Sequence, residues 1–169
     1  MDKNNAVIEF LKTCPAIQSN PLFFNFAENE EGTNHFITET DKKKKTYIDG
    51  SVLKQYTFTI ASYVPVAYSA IVGDSNFNDQ NMENMAIVQE ILDWIEEQAD
   101  KANKAKYDLN ESEKDYYPDF GSECIIEDMR TLTGDPDLDG IDKSVNPPIA
   151  RYSIGVQIDY IDNTNKIWS

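Results

Sequence analysis

One histidine, His35, and two cysteines, Cys14 and Cys124, are all that 169 residues offer of the side chains that most often ligate transition metals or act as nucleophile and base. No second histidine or cysteine lies near His35 in sequence, so nothing local suggests a Cys–His nucleophile. Two cysteines 110 positions apart are too few for a zinc ribbon, and they are read as reduced, partly buried thiols of a cytoplasmic protein. No Gly-rich phosphate loop and no G-x-S-x-G elbow is present. Seven glycines and seven prolines exclude a low-complexity or collagen-like chain. No apolar run approaches the roughly 18 residues a spanning helix needs, and Met1 to Asn5 leads directly into an amphipathic segment rather than a signal-peptide core. Positive charge is also scarce. Lysine and arginine number 15 against 30 carboxylates, for a formal charge of -15. A chain so acidic repels phosphate backbones and anionic membrane surfaces, which argues against generic nucleic-acid or membrane binding. Thirty carboxylates also mean that no pair of them is, by itself, a catalytic signature.

What is present is enough for one domain with one core: the composition is 40% hydrophobic and 11% aromatic. Asn4 to Thr13 carries a helical stripe of Val7, Ile8, Phe10 and Leu11, ended by Cys14-Pro15. Leu22 to Phe26 and His35 to Thr38 read as short strands separated by an acidic turn, Ala27 to Gly32. Asp49-Gly50 is a strong turn signal. Tyr56, Phe58 and Ile60 then alternate with Gln55, Thr57 and Thr59, predicting a strand with one buried face that continues towards Pro65. After a polar linker, Gly73 to Asp79, with Asn78, Asp79 and Asn81 as caps, comes the clearest helix. Met85, Val88, Leu92, Ile95 and Ala99 recur at steps of three and four, opposite Glu90, Asp93, Glu96 and Glu97. The spacing predicts a helix over 82–101. Tyr107 to Ser122 is a polar, aromatic connection, and Cys124 to Leu132 a strand of mixed polarity. The cleanest strand is the last, in which Tyr152, Ile154, Val156, Ile158 and Tyr160 alternate with Ser153, Gly155, Gln157 and Asp159. The expected fold is a single α+β domain over 1–169, a mostly antiparallel β-sheet packed against one long and one short α-helix.

Two charged motifs stand out. Lys42, Lys43, Lys44 and Lys45 form a basic run between strands. It reads either as a solvated hairpin tip or as a basic finger that docks on an acidic neighbour. Asp135, Asp137 and Asp139, followed by Gly140, match the first half of a calcium loop, D-x-D-x-D-G. The second half fails, because Lys143 and Asn146 stand where later ligands belong and Pro147-Pro148 follows. The bland alternative is a solvated acidic loop, Gly134 to Pro148, stiffened by Pro136. No metal or cofactor is expected to be needed.

The order of these segments carries a resemblance. The short helix ending in Cys14-Pro15, then Leu22-Phe23-Phe24-Asn25-Phe26, Tyr47-Ile48-Asp49-Gly50-Ser51, Gln55 to Ile60, Asp93-Trp94-Ile95 and Tyr152 to Tyr160 resemble, in order and spacing, small structural proteins of tailed phages of low-GC Gram-positive bacteria. These are the tail terminators, also called minor capsid or tail-completion proteins, which also cap phage-tail-like bacteriocins. The resemblance covers most of the chain. It implies an α+β subunit of a hexameric ring that caps the tail tube, stops its growth and offers a surface to the head connector or collar protein. The implied partners are further copies of the chain, the tail tube protein and the connector. DNA would pass through the lumen without being specifically bound. The family has no catalytic residues to carry over, so no enzyme is expected. The protein would be made in the host cytoplasm and end in the virion tail or tail-like particle. A head–tail stopper and a calcium-dependent binding module using 135–142 are the alternative readings. For the ring contact, the candidates are Lys42 to Lys45 on one side, and either the acidic segment with Asp135, Asp137, Asp139 and Asp142 or the acidic face of the long helix on the other.

Overall fold

Two long segments with a period of two organise the molecule. A computed structural model describes residues 2–18, 22–24, 33–65, 76–132, 137–142 and 149–167. The strands are β1 (Leu22–Phe24), β2 (Thr33–Thr46), β3 (Val52–Pro65), β4 (Cys124–Thr131), β5 (Asp137–Asp142) and β6 (Ile149–Asp162). They form one sheet in the order β1-β2-β3-β6-β4, with β5 also paired to β6. β1 lies parallel to β2, and every other pairing is antiparallel. The helices are α1 (Lys3–Leu11), the single turn α2 (Pro15–Gln18) and α3 (Asn76–Ala105), and a 3-10 turn spans Glu113–Tyr116. The fold is α+β with a mostly antiparallel sheet, as the patterning predicts.

The core follows from strand register. Tyr56, Phe58 and Ile60 of β3 stand opposite Ile158, Val156 and Ile154 of β6, and none is more than 1% exposed. Onto this apolar face α3 lays Val88, Ile91, Leu92 and Ile95, all buried, while Glu90, Asp93, Glu96 and Glu97 face solvent. α1 adds Val7 and Leu11, and its Phe10 packs on Trp94 of α3 with ring centroids 5.0 Å apart. Asp2 caps α1 by accepting from the Asn4 amide. The other face of the sheet is polar but not simply wet. Thr57 and Gln157, opposite each other, are both buried, and Gln157 accepts a 2.7 Å hydrogen bond from Gln55. Gly155 leaves room there for Leu132 to lie over the backbone.

Several sequence-based boundaries shift. α1 ends at Leu11, and Pro15 opens α2 instead of only ending a helix, since a proline at a first helical position loses no hydrogen bond. α3 begins at Asn76, so Asn78, Asp79 and Asn81 lie inside it and are not its caps. β2 is 14 residues long, not the short strand expected at His35 to Thr38. The segment read as an acidic loop, Gly134 to Pro148, contains β5. β4 and β5 run along the same edge of β6, from the Cys124↔Asp162 pair to the Asp142↔Ile149 pair. Backbone pairing with the long β6 thus overrides the weak strand propensity of Asp and Gly. The turn Ala27 to Gly32, the end of the first strand at Asn25 and Phe26, and Asp135 lie outside the described residues, as do 66–75.

Candidate assembly surface

The basic run is not at the hairpin tip. Lys42 pairs with Gln55, Lys43 with Lys54 and Lys45 with Leu53, so the lysines lie within β2, and a register shift falls between Lys43 and Lys45. The tip is Tyr47 to Ser51. The Tyr47 amide donates to the Ser51 carbonyl at 2.8 Å, and the Gly50 amide donates to the Tyr47 carbonyl at 3.0 Å. Gly50 has φ 87°, the left-handed conformation that closes such hairpins. The Asp49 carboxylate accepts from both the amide and the hydroxyl of Ser51, which lowers its pKa. All four lysines are exposed, and among the described residues no strand pairs with the outer edge of β2 beyond Phe36. Lysine is a usual guard of an open strand edge, because its charge opposes pairing with a like edge.

The base of this strand is anchored to the core. Tyr160 of β6 donates from its hydroxyl to Asp41 at 2.6 Å, and Lys3 of α1 lies 3.9 Å from the same carboxylate and 5.3 Å from the Tyr160 ring centroid. Burial, reinforced by the Asp41 hydrogen bond and charge, pushes the Tyr160 phenol up, so it stays a donor. Tyr56 donates to Asn4 at 2.5 Å, and Phe120 packs edge-on against both Tyr56 and Tyr160. Lys54 and Asp162 pair at 3.0 Å. Burial alone would raise the Asp162 pKa, but Thr164 and Lys54 outweigh it and bring the pKa down to about 2. The lysine strand therefore projects from a fixed base.

Beyond the lysines the surface turns apolar. Ile48 is 92% exposed at the tip, and Lys45 Nζ lies 5.2 Å from the Tyr47 ring centroid. The C-terminal segment folds back on the tip, where the Ile167 amide donates to the Asp49 carbonyl at 2.6 Å and the Ile167 side chain stays 72% exposed. This knob of Tyr47, Ile48 and Ile167 was not read from the sequence. Isolated apolar residues beside a turn carry no periodic signal, and only the fold brings Ile167 to the turn at Asp49 and Gly50.

At the opposite edge, beside β4, the surface is acidic. Residues 106–127 contain seven carboxylates and two lysines. A groove of about 400 Å³ runs between the 3-10 turn and β4, and its lining includes Glu113, Lys114, Tyr117, Asp119, Phe120 and Ile125. Tyr117 is 6% exposed, and its hydroxyl has no hydrogen-bond partner among the described residues. Burial, with the nearby Asp128, Glu113 and Glu127, pushes that phenol up to about 12. Lys106 sits 5.8 Å from the Tyr117 ring and donates to the Glu127 carbonyl at 2.6 Å.

The other candidates from the sequence are dispersed. Asp137, Asp139 and Asp142 lie in β5, paired to the far half of β6 from the lysines. Among the described residues no three His, Cys, Asp or Glu side chains are grouped to hold a metal. Cys14 and Cys124 are free thiols, buried and half-buried, and burial raises the pKa of both. His35 lies in β2 opposite Ala61. The chain matches no protein-family model and no curated protein. No helix among the described residues is long and apolar enough to cross a membrane.

Proposed function

We propose that the protein is a structural subunit of a phage tail or phage-tail-like particle, a tail terminator that assembles into a ring on the end of the tail tube and stops its growth. The observation that carries this reading is the polarity of the sheet: an exposed lysine strand on one edge and, on the other, a groove within the acidic segment 106–127. A closed ring uses heterologous contacts, in which two different surfaces of each subunit match. The resemblance of the ordered segments to tail terminators, and an α+β fold of the kind that family implies, support the same conclusion. The acidic balance of the chain is compatible with a lumen through which DNA slides without adhering.

The test is removal of the protein from the producing cell, with electron microscopy of the particles. A terminator's absence gives tails of irregular, excessive length that do not join heads or collars. Tails of normal length, normally joined, would rule out this function. Tails of normal length that fail only to join would favour a head–tail stopper instead.

A further inference from the structure

The two unlike edges of the sheet stand at the same height. Thr46 of β2 pairs with Val52 of β3, Val52 pairs with Asp162 of β6, and Asp162 pairs with Cys124 of β4. These four residues form one row across the sheet, spanning three strand spacings, or roughly 14 Å. The tip with Tyr47 and Ile48 extends from one end of the row. The groove lies at the other end, since Cys124, Ile125 and Ile126 line it. β5, in contrast, pairs with 149–153, so a lysine contact with β5 would step each copy along the strands by roughly 30 Å.

We infer that the tip of one copy, Tyr47 and Ile48 with the Lys42–Lys45 strand behind them, docks head-to-tail into the groove between the 3-10 turn and β4 of a second copy. This rests on the ring reading and names its contact. The knob is apolar at Tyr47 and Ile48 with four lysines behind it, and the groove is apolar at Ile125 and Phe120, carries Glu113 and Asp119 beside Lys114, and belongs to a segment, 106–127, with seven carboxylates and two lysines. Ile125 is 46% exposed in the groove wall, and Tyr107 and Leu109, 93% and 104% exposed, stand on the acidic segment that leads into it. The lysines disfavour pairing of β2 with another β2, which would give a two-fold dimer, and favour an acidic partner. The occupant that fits is a copy of the same chain, because the chain carries both halves, at the same height on opposite edges of one sheet.

A benzophenone-bearing residue at position 48 reads the contact directly. Irradiation of the full chain should give intermolecular cross-links that map to residues 113–126. Charge swaps give a second readout in sedimentation. Lys43→Glu/Lys45→Glu and, separately, Glu113→Lys/Asp119→Lys should each lose self-association at least tenfold. An equimolar mixture should recover it, since each variant then offers the edge that the other lacks. Cross-links elsewhere, or a mixture that does not recover, overturn the contact, and a native chain that stays monomeric at all concentrations overturns it too. A defined ring with cross-links elsewhere refutes this surface but leaves the ring reading standing. Cross-links at 113–126 in an open-ended polymer support the surface and refute the ring.

Discussion

Tyr117 combines a largely buried ring with a hydroxyl that has no hydrogen-bond partner among the described residues. Leaving such a group unsatisfied costs roughly 1–3 kcal/mol, whereas its deletion in a shape-preserving change is close to neutral or stabilising. Tyr117→Phe should therefore leave stability unchanged or raise it by about 1 kcal/mol in urea unfolding. A loss above about 1 kcal/mol would mean the hydroxyl has a partner after all. The same residue gives a pH expectation. Its folded pKa, about 12, exceeds the ordinary 10 of an unfolded chain, so the unfolded state ionises first as pH rises. The corresponding stability is complete below pH 10 and is lost as pH climbs towards 12. Spectrophotometric titration of the native protein should show one tyrosine fewer ionising near pH 10 in Tyr117→Phe only if Tyr117 ionises normally; with the raised pKa, the difference appears near 12.

The long helix is the element whose sequence spoke most clearly. Leu92 is fully buried between Val88 and Ile95 on the face that meets the sheet. Leu92→Ala should cost on the order of 2–5 kcal/mol by loss of apolar contact and creation of a cavity, measured by thermal or urea unfolding. A cost under about 0.5 kcal/mol would mean that this face meets water. The 3.6-residue stripe made α3 legible, and strict alternation did the same for β3 and β6, because each buries one face against a single neighbouring layer. β5 was not legible. Asp137 to Asp142 has the composition of a loop and becomes a strand because β6 offers it a free edge. β2 failed for the same reason at Lys42 to Lys45, where the register set by the Tyr47–Ser51 turn carries the lysines into the ladder. Strands formed by pairing rather than by their own pattern are invisible to a one-segment reading. The lysine run stands out in the sequence as a contact candidate, whereas the groove proposed to receive it does not. That groove is assembled from the 3-10 turn and β4, whose residues share no motif.

At the scale of the whole molecule, the lysine strand is a charged edge held on a rigid base by Tyr160, Asp41 and Lys3. Its four side chains are exposed, and exposed charges contribute roughly 0–1 kcal/mol each to folding. In the proposed ring their larger effect would fall on encounter and orientation between subunits, where complementary charge raises association rates and rejects wrong pairings. Reversal of all four, Lys42 to Lys45 each to Glu, should accordingly separate folding from assembly. The variant should unfold within a few degrees of the native protein, since no buried partner is stranded. In producing cells it should leave tails too long or unjoined, the outcome the proposed function gives for complete removal, because an acidic edge would then face the acidic segment 106–127. Raising salt should not restore the native chain's assembly rate in the variant, because screening removes repulsion without recreating attraction. Tails of normal length, correctly joined, from a folded quadruple variant would reduce the lysine run to a solvated guard of the sheet edge, and the ring contact would then have to lie elsewhere on the subunit.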